Sequence, residues 1–147
     1  MDLIAKFGER LKDLIFEHKL TAELLGKILN HNVHDIYHWK SGKGKYMPSV
    51  ENLLKLADYF CCSVEFLLGL EEENRLPNPK LRPPFSDRFR RVAELKGFTL
   101  YKLGKATKMG TAQYYAWINK ASEPSLDSLM RIAAVLDCSV DYLLGRE

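Results

Sequence analysis

Apolar residues recur at helical spacing along almost the whole chain. Phe7, Leu11, Leu14 and Ile15 fall at i, i+4, i+7 and i+8, and Phe85, Phe89, Val92 and Ala93 repeat the spacing. Such a stripe predicts a helix with one buried face. Gly97 is placed to end the second of these helices in the left-handed slot that favours glycine. Two stretches of twenty-two residues follow the first helices, Thr21–Gly42 (TAELLGKILNHNVHDIYHWKSG) and Thr99–Lys120 (TLYKLGKATKMGTAQYYAWINK). Each reads as a short helix, a tight turn and a second short helix. In the later stretch Thr99 is an N-cap, and Leu103 and Ala106 are expected on the inner face. Lys108, Met109 and Gly110 make the turn, with Gly110 expected to take a backbone conformation that other residues avoid. Tyr114 and Trp117, three residues apart, then point inward, leaving Thr111, Ala112, Tyr115, Ala116 and Asn119 outward.

Pro48-Ser49 and Pro124-Ser125 start a fourth helix, with Ser as N-cap and Glu51 or Asp127 adding negative charge to its first turn. Its inner face reads Val50, Leu53, Leu54, Ala57 and Phe60, or Leu126, Leu129, Met130, Ala133 and Leu136. Ser63 and Ser139 cap a last short helix that runs to Gly69 or Gly145. The fold class this predicts is all-α.

The pattern occurs twice. Laying Phe85 on Phe7 aligns FGERLKDLIFEHKLTAELLGK with FSDRFRRVAELKGFTLYKLGK, and the register holds through Tyr37/Tyr115 and Trp39/Trp117. After two extra residues in the first copy, MPSVENLLKLADYFCCSVEFLLG falls on EPSLDSLMRIAAVLDCSVDYLLG. Self-similarity of this length means two copies of one five-helix unit, and roughly 62 residues is enough for each to fold alone. The expected division is 1–69, a linker at 70–84, and 85–147. The linker, LEEENRLPNPKLRPP, holds four prolines and a charge run, so it reads as a stiff spacer. At ~3.1 Å per residue it would reach roughly 45 Å.

Composition narrows the function classes. The chain of 147 residues is 46% hydrophobic and 28% charged, enough to bury a core. No apolar run reaches the length of a membrane span, and the charged N-terminus makes a poor signal peptide, so a cytoplasmic location and no membrane partner are expected. Cys61, Cys62 and Cys138 lack metal spacing; Cys62 and Cys138 read as small buried hydrophobes. The net charge of +3 is uneven: residues 1–70 balance nine cations with nine anions, while residues 85–147 carry ten against seven. A polyanionic partner is therefore better supported by the second half. No nucleophile motif, phosphate loop or paired carboxylate is found outside the helix caps, so no enzyme and no cofactor is expected.

The pattern T-x-x-x-L-[AG], turn, [IY]-x-x-W, then P-S-[LV]-x-x-L and S-V-[DE]-[FY]-L-L-G, resembles the phage-repressor/Cro-like (XRE-type) helix-turn-helix family. The resemblance covers 7–69 and 85–146 and implies two tandem lambda-repressor-like domains. It implies double-stranded DNA as partner, with the third helix of each unit in the major groove, where every base pair has a distinct pattern. Carried over by position, the base readers are Val33, His34, Tyr37 and His38 in copy one and Thr111, Ala112, Tyr115 and Ala116 in copy two. The phosphate contacts are Ser41, Lys43 and Lys45 in copy one and Lys102, Lys108, Asn119 and Lys120 in copy two. The family's Gln after the helix-two Thr is replaced by Ala22 and Leu100. Its helix-one Arg and helix-three Glu are replaced by Ile15/Lys40 and Ala93/Ile118.

His31, His34 and His38 sit at i, i+3 and i+7 across copy one's turn and third helix. One turn separates His34 from His38, the spacing two imidazoles need to share a zinc. No Cys, Asp or Glu at ligand spacing completes a set, so no metal is expected; His31 reads as packed in the turn and the other two as facing solvent or DNA. The function these readings predict is a sequence-specific DNA-binding transcriptional regulator, a repressor acting by operator occupancy. The alternative is a protein-interaction module, antitoxin-like or an adaptor, that kept the fold. Glu23 and Asp35 on copy one's outer face would repel phosphate, so that copy could instead serve a homodimer or a protein partner.

Overall fold

Short polar residues set most of the helix starts. Asp2, Thr21, Asn32, Ser49 and Ser63 each accept a backbone N–H from the first turn of the helix that follows, as do Thr99, Ser125 and Ser139. Each such bond satisfies a donor that the helix itself leaves open. In the computed structural model, which describes residues 2–44, 47–120 and 122–147, these caps open eight of ten α-helices. Among the described residues there is no strand.

The chain divides into two compact units, residues 1–79 and 80–147. Unit one holds α1 (Leu3–Glu17), α2 (Ala22–Leu29), α3 (Val33–Ser41), α4 (Val50–Tyr59) and α5 (Val64–Leu67). Unit two holds α6 (Phe85–Leu95), α7 (Leu100–Thr107), α8 (Thr111–Ile118), α9 (Leu126–Val135) and α10 (Val140–Leu144). Most of the expected apolar stripes form the cores, with Val50, Phe85, Leu126 and Met130 only half-buried. Phe7, Leu11, Leu14 and Ile15 of α1 are buried with Ile36 and Trp39 of α3; Phe89, Val92 and Ala93 of α6 are buried with Tyr114 and Trp117 of α8. Leu56 and Ile132, which fall outside the expected fourth-helix faces, are also buried. Among the described residues no helix is long and apolar enough to cross a membrane.

Three local expectations are corrected. Gly110 has φ of −71°, a value open to any residue, and starts α8 without a side-chain cap bond. The left-handed residue of that turn is Lys108, at φ of 60°, in the place where unit one has Asn30 at 52°. Ala106 is exposed, and Thr107 takes the inner position instead. Its hydroxyl donates to the Leu103 carbonyl at 2.7 Å and is hydrogen-bonded to the Tyr114 hydroxyl. Cys138 is only partly buried, enough to push its thiol pKa up against the opposing pull of Lys96 and Arg88.

The proline-rich stretch is bonded at both ends. Asn74 accepts the Ser63 N–H at 3.2 Å and donates to the Cys61 carbonyl at 2.8 Å, while Arg75 pairs with Glu71 and Glu65. At the other end the Lys80 N–H donates to the Arg146 carbonyl at 2.7 Å. Fifteen residues therefore overstate the free spacer.

Each unit also has a cationic strut that sequence pattern did not reveal. The Arg10 guanidinium lies 3.8 Å from the Phe66 ring centroid and donates to the Glu71 carbonyl at 3.1 Å. At the matching place in unit two, Arg88 lies 4.7 Å from the Tyr142 ring and donates twice to the Tyr142 carbonyl, at 3.0 and 2.8 Å. In both units this ties the first helix to the last.

Candidate nucleic-acid interface

The two helix–turn–helix segments are built the same way. In unit one the His31 N–H donates to the Gly26 carbonyl at 2.8 Å, and Asn30 in the left-handed region turns the chain. A Cβ on Gly26 would stand 3.0 Å from the His31 carbonyl oxygen, so glycine lets the turn fold this tightly onto α2. In unit two the Met109 N–H donates to the Gly104 carbonyl at 3.1 Å, and a Cβ on Gly104 would stand 3.1 Å from the Met109 carbonyl oxygen.

In α8 the two residues expected inward are buried and those expected outward are exposed except Ala116, and α3 divides in the same way with Val33 as its exception. In α3, Ile36 and Trp39 are buried, Val33 is half-buried, and His34, Tyr37 and His38 are exposed. In α8, Tyr114 and Trp117 are buried, Thr111, Ala112 and Tyr115 are exposed, and Ala116 is half-buried. Tyr37 and Tyr115 present the largest rings on these faces, at 47% and 55% exposure.

The two faces differ in how far their polar groups are already engaged. The Tyr37 hydroxyl donates to Glu23 on α2, which lowers the Glu23 pKa and raises that of Tyr37. Lys40 lies 5.8 Å from the same ring. His31 is stacked on Trp39 with centroids 5.1 Å apart and its Nε2 is 2.9 Å from Asp35. In unit two, Tyr101 stands where unit one has Glu23, with Lys105 at 4.8 Å from its ring, and the face of α8 carries no carboxylate.

The expected phosphate contacts lie around these helices. Lys43, Lys102, Lys108, Asn119 and Lys120 are all exposed. Ser41 is exposed too, but its hydroxyl donates to the His38 carbonyl at 2.6 Å and accepts the Lys43 N–H at 3.2 Å, so it orders the end of α3. Lys45 lies outside the described residues. Among the described residues no group of three or more His, Cys, Asp or Glu is placed to hold a metal ion.

Sequence reasoning missed Gln113. It is exposed on α8 beside Thr111 and Ala112, and its amide reaches Ser122 only at the limit of hydrogen bonding, 3.5 Å. In a major groove, a Gln side chain can pair with both N6 and N7 of an adenine. The position following Ala112 and preceding the buried Tyr114 was the available signal.

Comparison with known families bears on the same segment. Residues 89–143 match the family model described as Helix-turn-helix. The match runs from within α6 to within α10 and so includes the α7–turn–α8 pair. No curated protein and no solved structure matches the chain.

Proposed function

We propose that the chain is a sequence-specific, double-stranded DNA-binding transcriptional regulator made of two tandem helix-turn-helix domains, and that it represses by occupying its operator. The observation that carries this reading is α8: a helix whose inner face is locked by Tyr114 and Trp117 and whose outer face stands exposed within the segment that matches the helix-turn-helix family. An α-helix fits the major groove, and the outer face supplies what contacts there require.

In this reading Thr111, Ala112, Gln113, Tyr115 and Ala116 face base edges in unit two. Gln113 provides the two-bond adenine contact, and the small apolar side chains suit thymine methyls. Lys102, Lys108, Asn119 and Lys120 hold the backbone, with Lys105 beside them. Unit one uses Val33, His34, Tyr37 and His38 with Ser41 and Lys43, and contributes less because Glu23 and Asp35 place carboxylates toward the phosphates. Two linked readers gain from effective concentration, so weak half-sites suffice. Since the outer faces share only the tyrosine, the preferred site is asymmetric.

A second reading applies to unit one. Leu24 and Ile28 on α2 are 44% and 43% exposed, beside a Tyr37 that Glu23 already engages. That surface suits a protein partner better than a polyanion, as in an adaptor or antitoxin-like module.

Binding-site selection with the intact chain, followed by titration of variants, tests the assignment. Tyr115→Ala and Gln113→Ala are expected to change the selected sequence. Lys102→Ala with Lys108→Ala should weaken every duplex alike. A selected site that is a perfect inverted repeat would count against one chain spanning two unlike half-sites.

A further inference from the structure

At the matched reading positions the two third helices share one residue type, tyrosine, at Tyr37 of α3 and Tyr115 of α8. Their hydroxyls are placed differently. The Tyr37 hydroxyl donates to the Glu23 carboxylate in the first turn of α2. That bond is the main reason the Glu23 carboxyl sits below its ordinary pKa, so at neutral pH it is ionised and can only accept. Thr21, the N-cap of α2, and Lys40 in the last turn of α3 pull the same way, so the acceptor is held from both helices. Asp35, the other carboxylate on this face, lies 2.9 Å from His31 Nε2.

In unit two Tyr101 stands where unit one has Glu23, and among the described residues the Tyr115 hydroxyl makes no hydrogen bond. A phenol has one proton to donate and lone pairs with which to accept. With its proton taken by Glu23, Tyr37 keeps only acceptor capacity, on a side chain that still faces outward at 47% exposure. Tyr115 keeps both capacities.

In the major groove adenine and cytosine present exocyclic amino donors, while guanine and thymine present carbonyl oxygens. An acceptor-only tyrosine therefore distinguishes the amino bases from the keto bases, whereas a free one bonds to either class by rotating its hydroxyl. We propose that Glu23 is a positioning residue for sequence reading by unit one. By taking the Tyr37 proton it makes Tyr37 select adenine or cytosine over guanine or thymine on the strand it faces. Tyr115, with no such acceptor beside it, makes no such selection. The assignment deepens the DNA-binding reading above and rests on it.

The test is binding-site selection with the intact chain and its Glu23→Ala, Tyr37→Phe and doubly substituted variants. Titration follows with four duplexes that differ only at the base whose preference changes in Tyr37→Phe. Both side chains are exposed, and thermal melts report that each variant is folded. At that base adenine and cytosine are expected to bind roughly three- to tenfold more tightly than guanine and thymine, and either single substitution removes the difference. In the Tyr37→Phe background Glu23→Ala should change the preference no further, and the bases selected by unit two should stay as they are. A preference that survives Glu23→Ala, or one that Glu23→Ala still alters without the Tyr37 hydroxyl, would overturn the proposal. So would an equal gain in affinity for all four duplexes, which would leave Glu23 as a carboxylate that only repels phosphate. Selection by unit two with no preferred base under unit one overturns this assignment alone. No binding to any duplex at low salt overturns the DNA-binding reading with it.

Discussion

In unit one the end of α3 meets α1 through two glycines, Gly8 and Gly42, with no side chain between the backbones. In unit two Ser86 and Lys120 occupy those positions. Next to Ser86 in the chain, Phe85 joins an aromatic cluster: it stacks on Phe89 at 5.4 Å, and Trp117 meets both rings at steep angles. A second contrast lies under the third helix. Unit one has the apolar residues Leu29, half-buried, and Ile36, buried, whereas unit two has Thr107 and Tyr114 in those places, joined by a hydrogen bond. A third lies at the last helix: Glu65 has Arg75 at 3.5 Å in a partly exposed setting, while Asp141 and Arg146 form an ion pair that is wholly buried. The caps and apolar stripes that specify the fold are held in common. The differences gather at the junctions beside the third helices and at the ends of the units, where a change of side chain alters a surface without removing a helix.

The largest break in the comparison is expected at the ion pairs. Asp141→Ala leaves the Arg146 guanidinium buried without its partner and should destabilise unit two by about 3–5 kcal/mol. Glu65→Ala, with Arg75 still able to use Glu71, should cost unit one about 1 kcal/mol or less. Urea unfolding followed by residue-resolved hydrogen exchange separates the two units; equal costs would contradict the contrast.

The glycine junction comes next. Gly8→Ser places a Cβ against the Gly42 backbone and should destabilise unit one by about 1–3 kcal/mol. The reverse change, Ser86→Gly, meets no such obstacle and should cost unit two under about 1 kcal/mol, through helix propensity alone. Thermal denaturation of both variants checks the asymmetry.

Tyr114→Phe is a smaller change. It removes one buried hydroxyl while Thr107 keeps its bond to the Leu103 carbonyl, so about 1 kcal/mol is expected in the same assay.

The smallest effect concerns acid and base limits in unit one. Glu23 has a pKa lowered below 4.5, first by the Tyr37 hydrogen bond, so its contribution to stability is present above that value and lost as pH falls through the lowered one. Tyr37 has a pKa raised above 10.0, so its share is present below 10 and lost as pH rises through the raised value. Tyr37→Phe should remove the alkaline limb and shrink the acid one, where the backbone, Thr21 and Lys40 still act on Glu23, in melts across pH, leaving unit two unchanged.

Much of this architecture is written locally. Thr21, Thr99, Ser49, Ser63, Ser125 and Ser139 cap helices because a short side-chain oxygen needs only a neighbouring N–H, and a stripe such as Phe7, Leu11, Leu14 and Ile15 needs only helical period. The outward face of α8 followed from placing Tyr114 and Trp117 inward, and that of α3 from its alignment with α8 and the family resemblance. What stayed hidden depends on distant partners. Arg10 over Phe66 and Arg88 over Tyr142 join residues more than fifty positions apart. The burial of Arg146 depends on Asp141 and on how the chain end folds back, and Glu23 reads as a free carboxylate until Tyr37 is seen to donate to it. The turn at Lys108 to Gly110 misled for a different reason: glycine is the easiest residue to place at positive φ, but lysine and asparagine also reach that region, and here they do.

The central claim is that the chain binds duplex DNA through charge and groove contacts, with unit two the stronger reader. Fluorescence anisotropy of a selected duplex across a series of salt concentrations tests it most directly, using the intact chain beside its Lys102→Ala, Lys108→Ala variant. The account predicts that affinity falls steeply and log-linearly with salt, and that the double variant flattens the slope by about two, roughly one for each lysine. Absence of binding to any duplex at low salt, or an affinity indifferent to salt, would contradict it.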